Sequence, residues 1–163
     1  MTDVFTKAKR SAVMSRIRSS GNKDTELRLI EIFKVRGITG WRRGYTMVGK
    51  PDFVFAKIRL AVFVDGCFWH ACPKHFRLPQ SRTEFWTQKI SRNQDRDRLV
   101  NRTLRKNGWK VVRIWEHALV PQKTEVTVAA FRRLIEKRAL EITAMPERLL
   151  RSRRAPTPDS QHL

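Results

Sequence analysis

The chain has 163 residues, enough for one domain with a real hydrophobic core, and no apolar run in it approaches the length of a membrane span. Its 35 Lys+Arg outnumber 15 Asp+Glu, a net charge of +20 that solubility does not require and a polyanionic partner explains. Nucleic acid is expected before an acidic membrane surface, because no segment joins a basic face to a clean apolar one; the alternative is a basic protein without a specific ligand. The N-terminus, MTDVFTKAKR, lacks the apolar stretch of a secretory signal, which makes the cytosol the expected compartment. In that reducing setting the two cysteines argue for metal before disulfide.

Residues 6–19 are basic with sparse apolar positions (Ala8, Val13, Met14, Ile17) and form an arm or short helix that buries little. Ser20-Gly21-Asn22 breaks it. Asp24 then opens a helix that turns Leu27, Ile30 and Phe33 toward a core and stops at Gly37. Three strand-like stretches follow, over 41–47 (ending at Gly49), 53–56 and 60–64, the last apolar throughout as a strand buried on both faces is. A loop over 66–82 precedes a helix over 83–106. At about 100° per residue, its inner stripe is Trp86, Ile90, Asn93, Asp97, Val100 and Leu104. Gly108 ends that helix, 109–115 is expected as a central strand, and 124 to about 144 as the last helix. The tail from Met145, with Arg148, Arg151, Arg153, Arg154, Pro156 and Pro158, has the composition of a disordered segment. Helix, strands, helix, strand, helix is the order of an α/β sheet covered by helices.

Cys67, Cys72 and His75 have the spacing C-x4-C-x2-H, and His117 lies just past the expected strand over 109–115. Both cysteines and three of the four histidines therefore gather around one loop and one strand end. Structural zinc takes four such ligands in a closed tetrahedron and contributes on the order of 10 kcal/mol to folding. The alternative is two ordinary small cysteines and surface histidines, and spacing alone does not place His117. His70, between the cysteines, is either a further ligand or a catalytic group beside the cage.

In so basic a chain each carboxylate opposes a phosphate ligand. Asp52 enters one strand and Asp65 ends the next, so the two converge at neighbouring strand ends, as a hydrated Mg²⁺ requires. Asp97, on the inner helix face, is a third candidate, with a buried salt bridge to an arginine as its alternative. Glu26, in the first turn of the early helix, is a fourth, with a plain N-terminal helix acid as its alternative. Phe68 and Trp69 interrupt the Cys/His loop, and two such aromatics beside a ligand do not both bury easily. Exposed, they can stack on bases or wedge between base steps. Trp86 fits either that role or the helix core stripe, and Met14 is a further wedge in the arm.

These residues carry a resemblance. Gly49-Lys50-Pro51-Asp52-Phe53, Asp65-Gly66-Cys67-Phe68-Trp69-His70, Arg82-Thr83-Glu84-Phe85-Trp86, Asn93 to Arg98, Gly108-Trp109 and Trp115-Glu116 together resemble, in order, the very-short-patch repair (Vsr) endonuclease family, over about residues 3–140. The resemblance implies a restriction-endonuclease-like fold, a central mixed β-sheet flanked by helices, with a structural zinc site. It implies a Mg²⁺-dependent nick in one strand of duplex DNA, 5′ to the thymine of a T·G mismatch left by deaminated 5-methylcytosine. That nick starts very short patch repair in cooperation with general mismatch-repair proteins. A monomer in the bacterial cytoplasm, acting on the nucleoid, is expected, with residues 1–20 as a basic DNA-binding arm, 21–144 as the endonuclease domain and 145–163 as the tail.

Position by position, Asp52 matches the family's magnesium-binding aspartate and the Val64 backbone carbonyl the second magnesium ligand. His70 matches the histidine of proton transfer, Asp97 the acid that orients it, and Glu26 an acid near the site. Phe68, Trp69 and Trp86 match intercalating aromatics, and Met14 an arm residue inserted from the other groove. Two departures stand out. Asp65 occupies a position where the best-studied pattern has histidine, so it is expected either to bind metal or to act in proton transfer. The zinc set becomes Cys67, Cys72, His75 and His117 where the family pattern has the order Cys-His-Cys-Cys. The Glu-x-Lys of ordinary restriction nucleases is absent. The rivals are a restriction-like nuclease that cuts unmismatched DNA and a non-catalytic zinc DNA-binding protein.

Overall fold

A computed structural model describes residues 23–146 of the chain. The arm over 1–20, with Met14, and the tail beyond Pro146 lie outside the described residues. A π-helical turn, Lys23–Leu27, runs into α1, Arg28–Val35. It is followed by β1 (Phe53–Phe55), β2 (Leu60–Asp65), α2 (Thr83–Lys106), β3 (Lys110–Trp115) and α3 (Pro121–Thr143). Among the described residues no helix is long and apolar enough to cross a membrane.

The three strands form one mixed sheet in the order β1-β2-β3. β1 runs antiparallel to β2, with Phe53 opposite Val62. β3 runs parallel to β2, from Leu60 opposite Lys110 to Asp65 opposite Trp115, and α2 makes the crossover that a parallel pair needs. All six residues of β2 are buried, as its unbroken apolar run predicts for a central strand. The 109–115 segment is a strand as expected, but it lies beside β2 rather than at the centre of the described sheet.

Strand alternation sorts the side chains into two cores. Leu60, Val62 and Val64 join Phe53, Phe55 and Ile114 against Leu29, Ile32 and Phe33 of α1 and Val128 and Phe131 of α3. Phe33 is the hub, with ring centroids 5.2–6.0 Å from those of Trp41, Phe53, Phe55 and Phe131. Ala61 and Phe63 join Val54 and Val111 against Val100 and Leu104 of α2. Catalytic candidates on odd positions of β2 and β3 therefore face α2.

Two expectations are corrected. Residues 41–47 form no strand; Arg42 makes a lone bridge to Val54. Gly44, at φ 63, takes a left-handed turn that an extended ladder does not accommodate. Leu27 is 39% exposed, and Ile30 only partly buried, while Leu29, Ile32 and Phe33 form the buried face. The π-helical turn that opens the segment places an extra residue in its first turn and so rotates the apolar stripe.

Candidate active site and metal centre

The odd positions of the strands carry the chemistry. Asp65 closes β2 and Arg113 lies on β3 opposite Phe63, so both project toward α2. Asp65 is 3% exposed. Arg113 Nε donates to Asp65 Oδ2 at 2.6 Å and Nη2 to Asp65 Oδ1 at 2.7 Å, a two-pronged pair. The same Nη2 lies 3.0 Å from Oδ1 of Asp97 on α2. Asp97 Oδ2 in turn lies 2.5 Å from His70 Nδ1. Burial raises the Asp97 carboxyl, but the His70 hydrogen bond and the charges of His70 and Arg113 outweigh it and hold Asp97 below the ordinary carboxylate range. An ionised carboxylate only accepts, so Nδ1 of His70 donates to Asp97, and whenever the ring is neutral it is Nε2 that carries the lone pair.

Asp52 stands two residues before Val54 and faces the same side. Its Oδ2 accepts the Val64 N–H at 2.7 Å. Burial, partly offset by that N–H, together with Glu26 and Asp65 pushes the Asp52 carboxyl up to about 6. Glu26 is 6% exposed and pairs with Arg43. Asp52, Glu26, Val64, Asp65, His70, Asp97 and Arg113 all line one open cleft of about 840 Å³, with Lys50 and Arg96 at its walls. Asp52, its charged form disfavoured by the Glu26 carboxylate beside it, forms with that acid a donor set that fits a hard divalent cation, which takes oxygen ligands.

Beside the cleft, Cys67, Cys72, His75 and His117 bring their ligand atoms within 4.8 Å of one another. Cys67 Sγ is 3.1 Å from His117 Nδ1 and 3.8 Å from His75 Nδ1. Cys72 Sγ is 3.7 Å from His75 Nδ1 and 3.6 Å from His117 Nδ1. A tetrahedron with zinc–sulfur and zinc–nitrogen bonds of about 2.3 and 2.05 Å has sulfur–nitrogen edges of about 3.6 Å, so the four fit such an ion. The turn Glu116–Ala118 that follows β3 delivers His117 to the loop. His70 is outside the group, its Nδ1 committed to Asp97. Burial pushes the Cys67 thiol up to about 12, so binding an ion here releases a proton. The loop is tied to the scaffold at both sides. Cys67 N–H donates to Glu116 Oε1 at 2.9 Å, and Asn93 Nδ2 to the Trp69 carbonyl at 3.0 Å.

Phe68, Trp69 and Trp86 are each half-buried and pack on one another, with centroids 5.2–6.0 Å apart. Trp86 belongs to this group and to neither core. Lys89 lies 5.5 Å over the Trp69 ring. Sequence reasoning missed Arg113, Glu116 and Arg43 as site residues. The signal for Arg113 was a charge inside the apolar strand segment Lys110–Trp115.

Residues 2–75 match the family model "DNA mismatch endonuclease Vsr". The type II nicking enzyme V.NaeI of Lentzea aerocolonigenes is 43% identical over 114 residues, which are 68% of this chain and 69% of that protein. The type II nicking enzyme V.NmeAIP of Neisseria meningitidis serogroup A is 41% identical over 118 residues, 71% of this chain and 83% of that one. The DNA mismatch endonuclease Vsr of Escherichia coli K12 is 39% identical over 122 residues, 73% of this chain and 76% of that one. With identity at this level across two thirds or more of each relative, the chain belongs to the Vsr family of DNA mismatch endonucleases.

Proposed function

We propose that the chain nicks one strand of duplex DNA 5′ to the thymine of a T·G mismatch, as left by deaminated 5-methylcytosine, and so initiates very short patch repair with general mismatch-repair proteins. The observation that carries this reading is a single cleft in which the Asp52–Glu26 acid pair, the His70–Asp97 dyad and the aromatic rim of Phe68 and Trp69 meet. In this reading residues 21–144 form a restriction-endonuclease-like domain between a basic arm, 1–20, and a basic tail, 145–163. It works as a monomer in the bacterial cytoplasm on nucleoid DNA, and the net charge of +20 draws it to the duplex.

Asp52 and the Val64 backbone carbonyl would hold Mg²⁺, with Glu26 as the neighbouring acid. When bound, Mg²⁺ neutralises charge on the scissile phosphate and stabilises the leaving 3′ oxygen. His70 Nε2 takes the proton of the attacking water, and Asp97 stabilises the imidazolium that results. Asp65 anchors Arg113, since both its oxygens accept from that guanidinium. Cys67, Cys72, His75 and His117 would hold a structural Zn²⁺ that fixes the loop carrying His70 and the aromatics. Phe68, Trp69 and Trp86 enter the base stack beside the mismatch, and Met14 approaches from the other groove.

The test is a strand-specific nicking assay on T·G and T·A duplexes of one sequence, with and without Mg²⁺. Nicking confined to T·G with Mg²⁺, lost in Asp52→Ala while DNA binding persists, supports the reading; nicking by Asp52→Ala refutes the metal assignment. The second reading, a nuclease acting on unmismatched DNA, draws on relatives named as type II nicking enzymes. Equal cutting of T·A and T·G duplexes would establish it.

A further inference from the structure

We propose that Arg113 is a positioning residue for strand cleavage: by clamping Asp97 to Asp65 it fixes the His70 ring at the scissile phosphate. The proposal rests on the reading of His70 as the water-activating group.

The geometry leaves the guanidinium little freedom. Its Nε and Nη2 hold Asp65 at 2.6 and 2.7 Å. Nη2 also reaches Asp97 Oδ1 at 3.0 Å, and Nη1 lies 3.4 Å from Asn101 Oδ1, one helical turn beyond Asp97. One face of the group lies 4.8 Å over the Phe63 ring. The clamp therefore joins the end of β2, the middle of β3 and two turns of α2. Asp97 then presents its other oxygen to His70 Nδ1 at 2.5 Å. Because Asp97 is held on one oxygen, the direction of the other is fixed, and with it the direction of Nε2.

Charge supports the same role. Asp65 Oδ1 is 3.9 Å from His70 Nδ1, so it competes with Asp97 for that ring. Arg113 occupies both Asp65 oxygens and removes the competitor. Lysine at this position would keep the charge but would lack the planar fork that serves two carboxylates at once.

The experiment measures single-turnover nicking and, separately, Kd for a T·G duplex with Mg²⁺, on Arg113→Lys, Arg113→Gln, Asp97→Asn, His70→Ala and the double variant Asp97→Asn/Arg113→Gln. Misplacing a reacting group costs rates of about 10- to 100-fold. Arg113→Gln is expected to slow nicking by that amount with Kd unchanged, and Arg113→Lys to recover part of the loss. Arg113→Gln added to Asp97→Asn is expected to slow nicking no further, because both act through His70. Wild-type nicking by Arg113→Lys and Arg113→Gln overturns the proposal. So does a loss confined to Kd, or losses that multiply in the double variant. If His70→Ala is inactive while the Arg113 variants are normal, only the clamp is refuted; if His70→Ala nicks normally, the reading of His70 itself fails. Should Arg113→Gln not fold, Asp65→Asn/Arg113→Gln removes the charges of that pair together and is read the same way.

Discussion

Gly49→Ala tests whether the approach to Asp52 is set by contact with α2. Gly49 has φ 80, in the left-handed region, where a side chain costs about 1–2 kcal/mol. A Cβ there would lie 2.3 Å from Val100 Cγ1, 3.0 Å from Cγ2 and 3.3 Å from Cβ. Val100 lies within α2, where a helix holds valine to one strongly preferred χ1 rotamer, and it is only 7% exposed in the core beneath the loop. Forcing a methyl into such a place costs about 1–3 kcal/mol, so the total is about 2–5 kcal/mol. At about 3 °C per kcal/mol for a chain of this size, Tm should fall by about 6–15 °C. Urea denaturation gives the energy, and nicking of a T·G duplex should fall as well, because the displaced loop carries Asp52 three residues later. Val100→Ala alone should cost about 2 kcal/mol, yet in the Gly49→Ala background it should cost far less, a coupling of about 1–3 kcal/mol. An unchanged Tm for Gly49→Ala, or additive losses in the double variant, would refute the reasoning.

Cys72→Ser should abolish stoichiometric zinc by elemental analysis and lower Tm sharply, since a structural zinc site contributes on the order of 10 kcal/mol to folding; a stable, active, zinc-free protein would refute the structural role. Asp97, held below the usual carboxylate range, adds stability that is full above its unfolded value and lost as pH falls through its lower folded value. Urea midpoints from pH 5 to 2 (about the span of acid titration) should therefore fall less steeply in Asp97→Asn; identical slopes would contradict the ion pair. Glu116→Gln keeps an oxygen for the Cys67 N–H and should retain zinc, whereas Glu116→Leu strands that buried donor, at about 1–3 kcal/mol, and should lower Tm and zinc content together.

What the sequence made legible follows period and spacing. The stripe of Ile90, Val100 and Leu104 and the unbroken run of β2 were plain, because each is local. Asp97 stood out as an acid on an apolar face, and the structure shows both the histidine and the arginine that justify it. Cys67, Cys72 and His75 were joined by spacing, but His117 is linked to them only by the parallel register of β2 and β3, which no local pattern encodes. For the same reason Arg113 was overlooked, since its partners lie 48 residues back on β2 and across the sheet on α2. The strand expected over 41–47 does not form, because the left-handed backbone at Gly44 ends pairing after one bridge, and composition alone does not reveal that turn.

The cleft also answers why so basic a chain gathers acids where phosphate must sit. Glu26, Asp52, Asp65, Asp97 and Glu116 all line it, yet their neighbours differ. Arg43 holds Glu26, Arg113 holds Asp65, and Asp97 has both Arg113 and His70. Glu116 accepts the Cys67 N–H. Asp52 has instead the Val64 N–H and a second acid beside it, and it is the carboxyl pushed up to about 6. In a protein of net charge +20, that is a local shortage of positive charge, and a cation bound there relieves it. The arginines that pair with Glu26, Asp65 and Asp97 thereby leave Asp52 as the acid where, in the proposed reading, a divalent ion would gain most and from which it would draw a scissile phosphate into an otherwise acidic floor.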